Sequence, residues 1–193
     1  MDEKWTKKKK KKEKLPPEVQ ARREAYDWIQ SLISALLICV LVFVFVVRIM
    51  DVHGSSMEPT FLNGDRLLVS DLFYEPSRGD IVVFKKDSYN DNRALVKRVI
   101  AVAGDVVNID FDNGIVYVNG DALEEDYIKE LTKTKIDFIG PQTVPANCLF
   151  VMGDNRNGST DSRDKRIGMV DKRLVIGKVL LVVYPFDSFG LVD

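Results

Sequence analysis

Two textures divide the chain. Residues 29–47 run without a charged side chain, and at ~1.5 Å per residue a helix of that length nearly crosses a ~30 Å hydrocarbon layer. The run predicts one transmembrane helix. Beyond residue 50 short β-branched runs alternate with turn residues, which predicts strands over 66–70, 80–84, 95–102, 106–110, 115–118, 148–151 and 174–183. Asp112-Asn113-Gly114 and Asn119-Gly120 read as hairpin turns. Residues 122–142, charged from Glu124 to Lys135, read as a solvated excursion between strands. The fold class that follows is mainly β, behind an N-terminal transmembrane helix.

The flanks of the apolar run set its expected orientation. Residues 1–24 hold 10 Lys+Arg against 5 Asp+Glu, in a chain of 193 residues whose formal net charge is only −1. A low-complexity lysine run with no aromatic interleaving, placed beside an apolar segment, fits anionic lipid better than nucleic acid. Residues 1–28 are read as a basic cytoplasmic tail, largely disordered over 1–24, with Tyr26 and Trp28 at the membrane interface. Arg48-Ile49-Met50-Asp51 follows the run where a cleavable signal peptide would carry small residues, so the helix reads as an uncleaved anchor. The localisation expected is a single-pass membrane protein with residues 48–193 outside the cytoplasm.

The remaining composition narrows the chemistry. Cys39 lies within the apolar run and Cys148 far beyond it, so no disulfide framework is expected. Cys148 reads as a small core residue. With His53 as the only histidine, the chain has too few ligands of the kinds zinc prefers. No metal or organic cofactor is expected.

Three stretches carry candidate chemistry. Ser56 follows the apolar run within His53-Gly54-Ser55-Ser56-Met57-Glu58-Pro59-Thr60, which is either an ordinary Ser/Gly/Pro turn or a nucleophile held at a bilayer surface. In residues 95–102 two adjacent charges interrupt an otherwise apolar strand. A period of two puts Lys97 on a face with Leu95, Val99 and Ala101, and Arg98 on the other with Val96, Ile100 and Val102. Either both charges snorkel from an edge strand or pair with acids, or Lys97 is buried in order to be neutral. An ordinary lysine is deprotonated at pH 7 in roughly one molecule in 2,500, so a base needs burial to lower its pKa. A Ser-His-Asp triad would depend wholly on His53, which makes a Ser-Lys dyad the more economical arrangement. The third stretch, residues 153–163, is too polar for a strand and departs from a calcium loop because Arg156 occupies the third position. Either it is a solvated loop, or it offers Ser159 to hold an amine and an Asp161–Arg163 pair to stiffen the backbone.

Taken in order, Gly54 through Thr60, Gly64-Asp65-Arg66, Arg78-Gly79-Asp80-Ile81-Val82, Lys97-Arg98-Val99 with Gly104-Asp105, and Gly153 through Arg163 resemble the bacterial type I signal peptidases. The resemblance covers most of the chain after residue 28 and is closest to the shorter, single-anchor members. It implies an antiparallel β catalytic domain with a small β cap, here within 105–147. It implies a serine endopeptidase that removes signal peptides from secretory preproteins after small residues. On this resemblance Ser56 is the nucleophile, Lys97 the general base, Ser159 the hydroxyl that orients the lysine, and Asp161 with Arg163 the supporting ion pair. Met57, Phe61, Leu95 and Val96 would line the substrate pockets. Some relatives carry a serine two residues before the nucleophile as an oxyanion donor; here that residue is Gly54, which leaves the Ser56 backbone N–H and the Gly54 region to form the site. A self-cleaving Ser-Lys protease and a non-catalytic peptide-binding β domain remain as alternatives.

Overall fold

The computed structural model describes residues 16–86 and 93–192. Most of the basic tail, residues 1–15, lies outside the described residues. The chain divides into two compact units, 1–43 and 44–193.

The first unit is dominated by helix α1, Pro17–Phe45. Proline at the first helical position gives up an N–H that would have had no partner, and Glu18 in the first turn opposes the helix dipole. The helix thus starts twelve residues before the uncharged run begins at Ile29, and residues 17–24 of the expected tail are helical. Leu32, Ile33, Leu36, Leu37, Ile38 and Leu41 are all exposed. They surround the axis instead of forming one stripe, a surface that lipid would solvate and water would not. Among the described residues this is the one helix long and apolar enough to cross a membrane.

The last apolar residue of the 29–47 run belongs to a sheet instead. Val47 begins strand β1, Val47–Asp51, and pairs with Ser70, whose hydroxyl donates to the Val46 carbonyl. β-Branched valines at the end of the run suit a pleated strand at least as well as a helix.

The second unit holds two antiparallel sheets. The larger contains β1, β2 (Arg66–Ser70), β3 (Ile81–Lys85), β4 (Ala94–Val102), β9 (Cys148–Met152), β10 (Val170–Asp171) and β11 (Val175–Tyr184), in the order β1-β2-β11-β3-β4-β9-β10, with β12 (Gly190–Leu191) also paired to β11. The smaller contains β5 (Val106–Asp110), β6 (Ile115–Val118), β7 (Asp121–Ala122) and β8 (Gln142–Thr143), in the order β7-β6-β5-β8. Asn119 and Gly120 form the two-residue loop between β6 and β7, with φ of 57° and 93°. Those angles are what a type I′ hairpin demands and why Asn-Gly signals one.

Central strand β3 is buried from Ile81 through Phe84 because apolar clusters cover both faces. Ile81 and Val83 meet Met57, Phe61, Leu67 and Val179 on one face, and Val82 and Phe84 meet Val99, Leu149, Val151 and Ile167 on the other. A third cluster joins Ile100, Ala101 and Phe150 of the large sheet to Val107, Ile109, Val116 and Val118 of the small one.

Two expectations are corrected here. The pairing of β4 with β9 shifts between Val99 and Ala101, so strict alternation fails. Val99 and Val102 pack in one cluster, Ile100 and Ala101 in another, because a bulge moves every later side chain to the opposite face. Nor is the 122–142 excursion solvated throughout. Phe138 is buried edge-on against Phe111 and Phe150, and Thr132 is fully buried. Isolated anchors of this kind have no period for pattern reading to detect.

Candidate active site

The loop joining β1 to β2 carries Ser56, and its ends are tied together. Val52 N–H donates to the Asp65 carbonyl at 2.8 Å, and Gly64 N–H donates to the Val52 carbonyl at 2.9 Å. Asp65 also accepts from Leu62 N–H. Met57 and Phe61, each 1 % exposed, anchor the loop in the core. Ser56 on such a loop has little freedom, because moving it would withdraw two large apolar side chains from their cluster.

Lys97 approaches from β4, opposite Val82 of β3. It is 2 % exposed, and its Nζ lies 2.7 Å from Ser56 Oγ and 2.8 Å from the Val96 carbonyl. Burial among apolar neighbours penalises the charged amine and lowers its pKa to about 8, against the opposing pull of the Asp161 and Asp154 carboxylates. At pH 7 roughly one amine in ten is then neutral. That fraction can accept a proton from a hydroxyl already in contact with it.

The 153–163 loop backs this pair. Asp161 and Arg163 form a fully buried ion pair: Arg163 Nε donates to Oδ1 at 2.9 Å, and Nη2 to Oδ2 at 2.8 Å. Asp161 Oδ2 also accepts from Gly153 N–H at 3.1 Å. A β-carbon built on Gly153 would fall within 3.0 Å of both the Ser56 carbonyl and Ser159 Oγ. Glycine is therefore required for the loop to lie against Ser56. Asp154 accepts two bonds from Arg98 and one from Thr60 Oγ1, and the Arg98 guanidinium lies 3.9 Å from the centre of the Tyr127 ring. This is where the second strand charge goes: Arg98 is buried, paired and stacked, so it does not snorkel.

Other candidate residues fall differently. Ser159 is buried beside Ser56, but its hydroxyl has no hydrogen-bond partner among the described residues, so the expected bond to the Lys97 amine is not formed. The amine's two partners are Ser56 Oγ and the Val96 carbonyl. Gly54 takes φ +89° and its N–H donates to Asn63 Oδ1 at 2.8 Å, which removes that N–H as an oxyanion donor. No acceptor for the Ser56 N–H is found among the described residues, so it remains available. A small cavity of about 70 Å³ opens beside the pair, with Met57, Leu95 and Val96 in its lining. Phe61 faces elsewhere, into a hollow with Thr60, Arg98 and Tyr127. His53 sits at the mouth of the small cavity, exposed.

Sequence reasoning gave no role to Gly153, Asp154 or Asn155, nor to the Val96 carbonyl. The polarity of the 153–163 run and its place in the family resemblance marked the region, without a role for these residues. Among the described residues no group of three or more His, Cys, Asp or Glu side chains is placed to hold a metal ion.

The model of the family described as signal peptidase, peptidase S26, matches residues 25–184. The chain belongs to this family. Signal peptidase I P of Bacillus subtilis subsp. natto is 36% identical over 180 residues, covering 88% of this chain and 95% of that protein. Signal peptidase I of Bacillus licheniformis is 36% identical over 183 residues, covering 89% and 95%. A crystal structure of a signal peptidase I from Enterococcus faecalis V583 is 31% identical, covers 54% of this chain and 97% of that one, and superposes with a TM-score of 0.45. Membership of the S26 family makes this a peptidase, with a mainly antiparallel β fold behind one apolar helix.

Proposed function

We propose that the chain is a membrane-anchored serine endopeptidase that removes N-terminal signal peptides from exported preproteins, with Ser56 as nucleophile and neutral Lys97 as general base. The observation that carries this reading is the 2.7 Å contact between Lys97 Nζ and Ser56 Oγ, made by an amine whose burial keeps its pKa at about 8. Lys97 takes the hydroxyl proton as Oγ bonds to the scissile carbonyl carbon, and the Ser56 N–H stabilises the oxyanion. The C–N bond then breaks, and the protonated amine delivers its proton to the leaving nitrogen. Water, deprotonated by Lys97, hydrolyses the acyl-enzyme. Asp161 and Arg163 fix the backbone behind the pair, and Ser159 Oγ is the nearby hydroxyl that can take up the amine once it turns away from Ser56. No cofactor enters these steps.

Substrate binds as an added strand. β9 pairs with β4 only from Arg98 onward, so residues 94–97 have β3 on one side and, among the described residues, no strand partner on the other. An extended peptide can take main-chain bonds along that edge, facing the 51–54 stretch. The small cavity lined by Met57, Leu95 and Val96 suits alanine-sized side chains before the cut. Size discrimination supplies only ~1–3 kcal/mol per methylene, so the helix contributes selectivity by confining enzyme and preprotein to one membrane surface. The basic tail stays on the cytoplasmic side and the catalytic unit works outside.

The test is cleavage of a preprotein by the detergent-solubilised chain, beside Ser56→Ala and Lys97→Ala. Both variants are expected to be inactive. Wild-type rates in either one rule out the dyad.

A further inference from the structure

We infer that Asn155 is a positioning residue for the reaction: it aims the Ser56 N–H into the oxyanion site by gripping the nucleophile loop from behind. The inference rests on Ser56 acting as proposed above. Asn155 Nδ2 donates to the Ser55 carbonyl at 3.0 Å, and Asn155 N–H donates to the Ser56 carbonyl at 3.1 Å. One residue of the 153–163 loop thus holds two successive carbonyls of a loop about a hundred positions earlier in sequence.

Peptide planarity turns that grip into direction. In a trans peptide the C=O of one residue and the N–H of the next lie in one plane and point in opposite senses. The Ser55 oxygen accepts from Asn155 Nδ2 and, at 3.2 Å, from Glu58 N–H, so the Ser56 N–H faces away from both, and Ser56 itself lines the small cavity. Holding the Ser56 oxygen orients the Met57 N–H in the same manner. This requirement is acute here, because the Gly54 N–H is engaged by Asn63 and residue 54 has no hydroxyl to supply a second donor. A site with few donors depends more heavily on the aim of each.

The amide of Asn155 is itself seated. Asn155 is 7 % exposed, its backbone carbonyl accepts from Gly158 N–H at 3.0 Å, and a β-carbon built on Gly158 would lie 2.7 Å from the side-chain Nδ2. Gly158 leaves the space that the amide fills. The backbone there is not left-handed, so Gly158→Ala is conformationally accessible and would displace the amide without changing Asn155.

The experiment compares wild type, Asn155→Ala, Asn155→Asp and Gly158→Ala as detergent-solubilised full chains on a signal-sequence peptide with alanine at the first and third positions before the cut. The same sequence ending in an alanine aldehyde, which forms a tetrahedral adduct with a serine hydroxyl, and in the matching alcohol, which cannot, reports on the oxyanion site. Losing an oxyanion donor costs about 10²–10³ in kcat, and misaiming one costs part of that, so kcat should fall on the order of 10- to 100-fold in the Asn155 variants with KM within about threefold. Aldehyde affinity should fall by the same factor while alcohol affinity holds, and Gly158→Ala should show a smaller version of the same pattern. The inference is overturned if kcat stays within threefold of wild type, or if kcat falls while the aldehyde-to-alcohol ratio is unchanged, which would mark a merely structural defect. Should the Asn155 variants fail to fold, Gly158→Ala decides by the same ratio. Ser56→Ala run in parallel separates the two readings: if it still cleaves, the nucleophile assignment falls and this inference with it, whereas an inactive Ser56→Ala beside fully active Asn155 variants removes this inference alone.

Discussion

Replacing Gly153 by alanine drives a methyl group into the place where the 153–163 loop meets Ser56, the proposed nucleophile. The new β-carbon would lie 2.6 Å from Ser159 Cβ and inside 3.0 Å of both Ser159 Oγ and the Ser56 carbonyl, where 3.4–4 Å is ordinary contact. Neither side yields easily. The Ser56 carbonyl is held by Asn155 N–H, and Gly153 is held by Asp161. Relief therefore requires roughly 1 Å of movement in one of them, and a misplacement of that size at a reacting centre costs on the order of 10²-fold in rate. Overpacking itself costs about 1–3 kcal/mol, which a domain of this size survives. The assay is the initial rate of signal-peptide cleavage, read beside urea unfolding of the same preparation. Gly153→Ala should remain folded and lose about two orders of magnitude in kcat. A folded variant within fivefold of the wild-type rate would refute the claim that this contact sets the position of Ser56.

Two further outcomes follow from burial. Ser159→Ala removes a buried hydroxyl that has no partner in the resting arrangement, so unfolding free energy should hold or rise slightly while kcat falls about tenfold, seen by unfolding and cleavage assays on one sample. Lys97→Met should stabilise the chain at neutral pH. Burial lowers the amine from 10.5 to about 8, so as pH falls the unfolded chain binds its proton first. The penalty on the fold grows from pH 10.5 down to 8 and is complete below 8, at roughly 3 kcal/mol. Urea unfolding should show the variant more stable at pH 7 and the difference vanishing above pH 10.5; a constant difference across that range would contradict the burial argument.

Much of this molecule was legible from pattern because its strands are short, β-branched and sharply bounded. Strands 66–70, 106–110 and 115–118 form over the residues that alternation marks. Alternation fails at Ile100, where one bulged residue turns the strand over, since nothing in a run of apolar residues distinguishes a bulge from a regular step. Pairs such as Asp121–Ala122 and Val170–Asp171 are too short to carry a period, and they exist only because neighbouring strands offer them partners. Strand β1 went unmarked because it begins on the last valine of the apolar run and continues through Arg48 to Asp51, too short and mixed to carry a period.

The site divides along similar lines. Ser56 and Lys97 drew notice as incongruities, a serine beside a membrane run and a charge inside an apolar strand. Which hollow Phe61 would line could not be read from the sequence, because neighbouring pockets ask for the same apolar chemistry. The work assigned to Asn155 and Gly153 passes through backbone carbonyls of distant residues, and one sequence without coordinates holds no trace of which carbonyl a side chain will meet.

The central claim is that Lys97 works as a neutral amine. The direct measurement is kcat/KM for signal-peptide cleavage from pH 6 to 10, beside an NMR titration of the Lys97 amine in the same preparation. Both curves should share a midpoint near pH 8, with the rate rising roughly tenfold from pH 7 to 9 and Lys97→Arg inactive throughout. A flat rate profile, or an amine that titrates above pH 10 in an active enzyme, would contradict it.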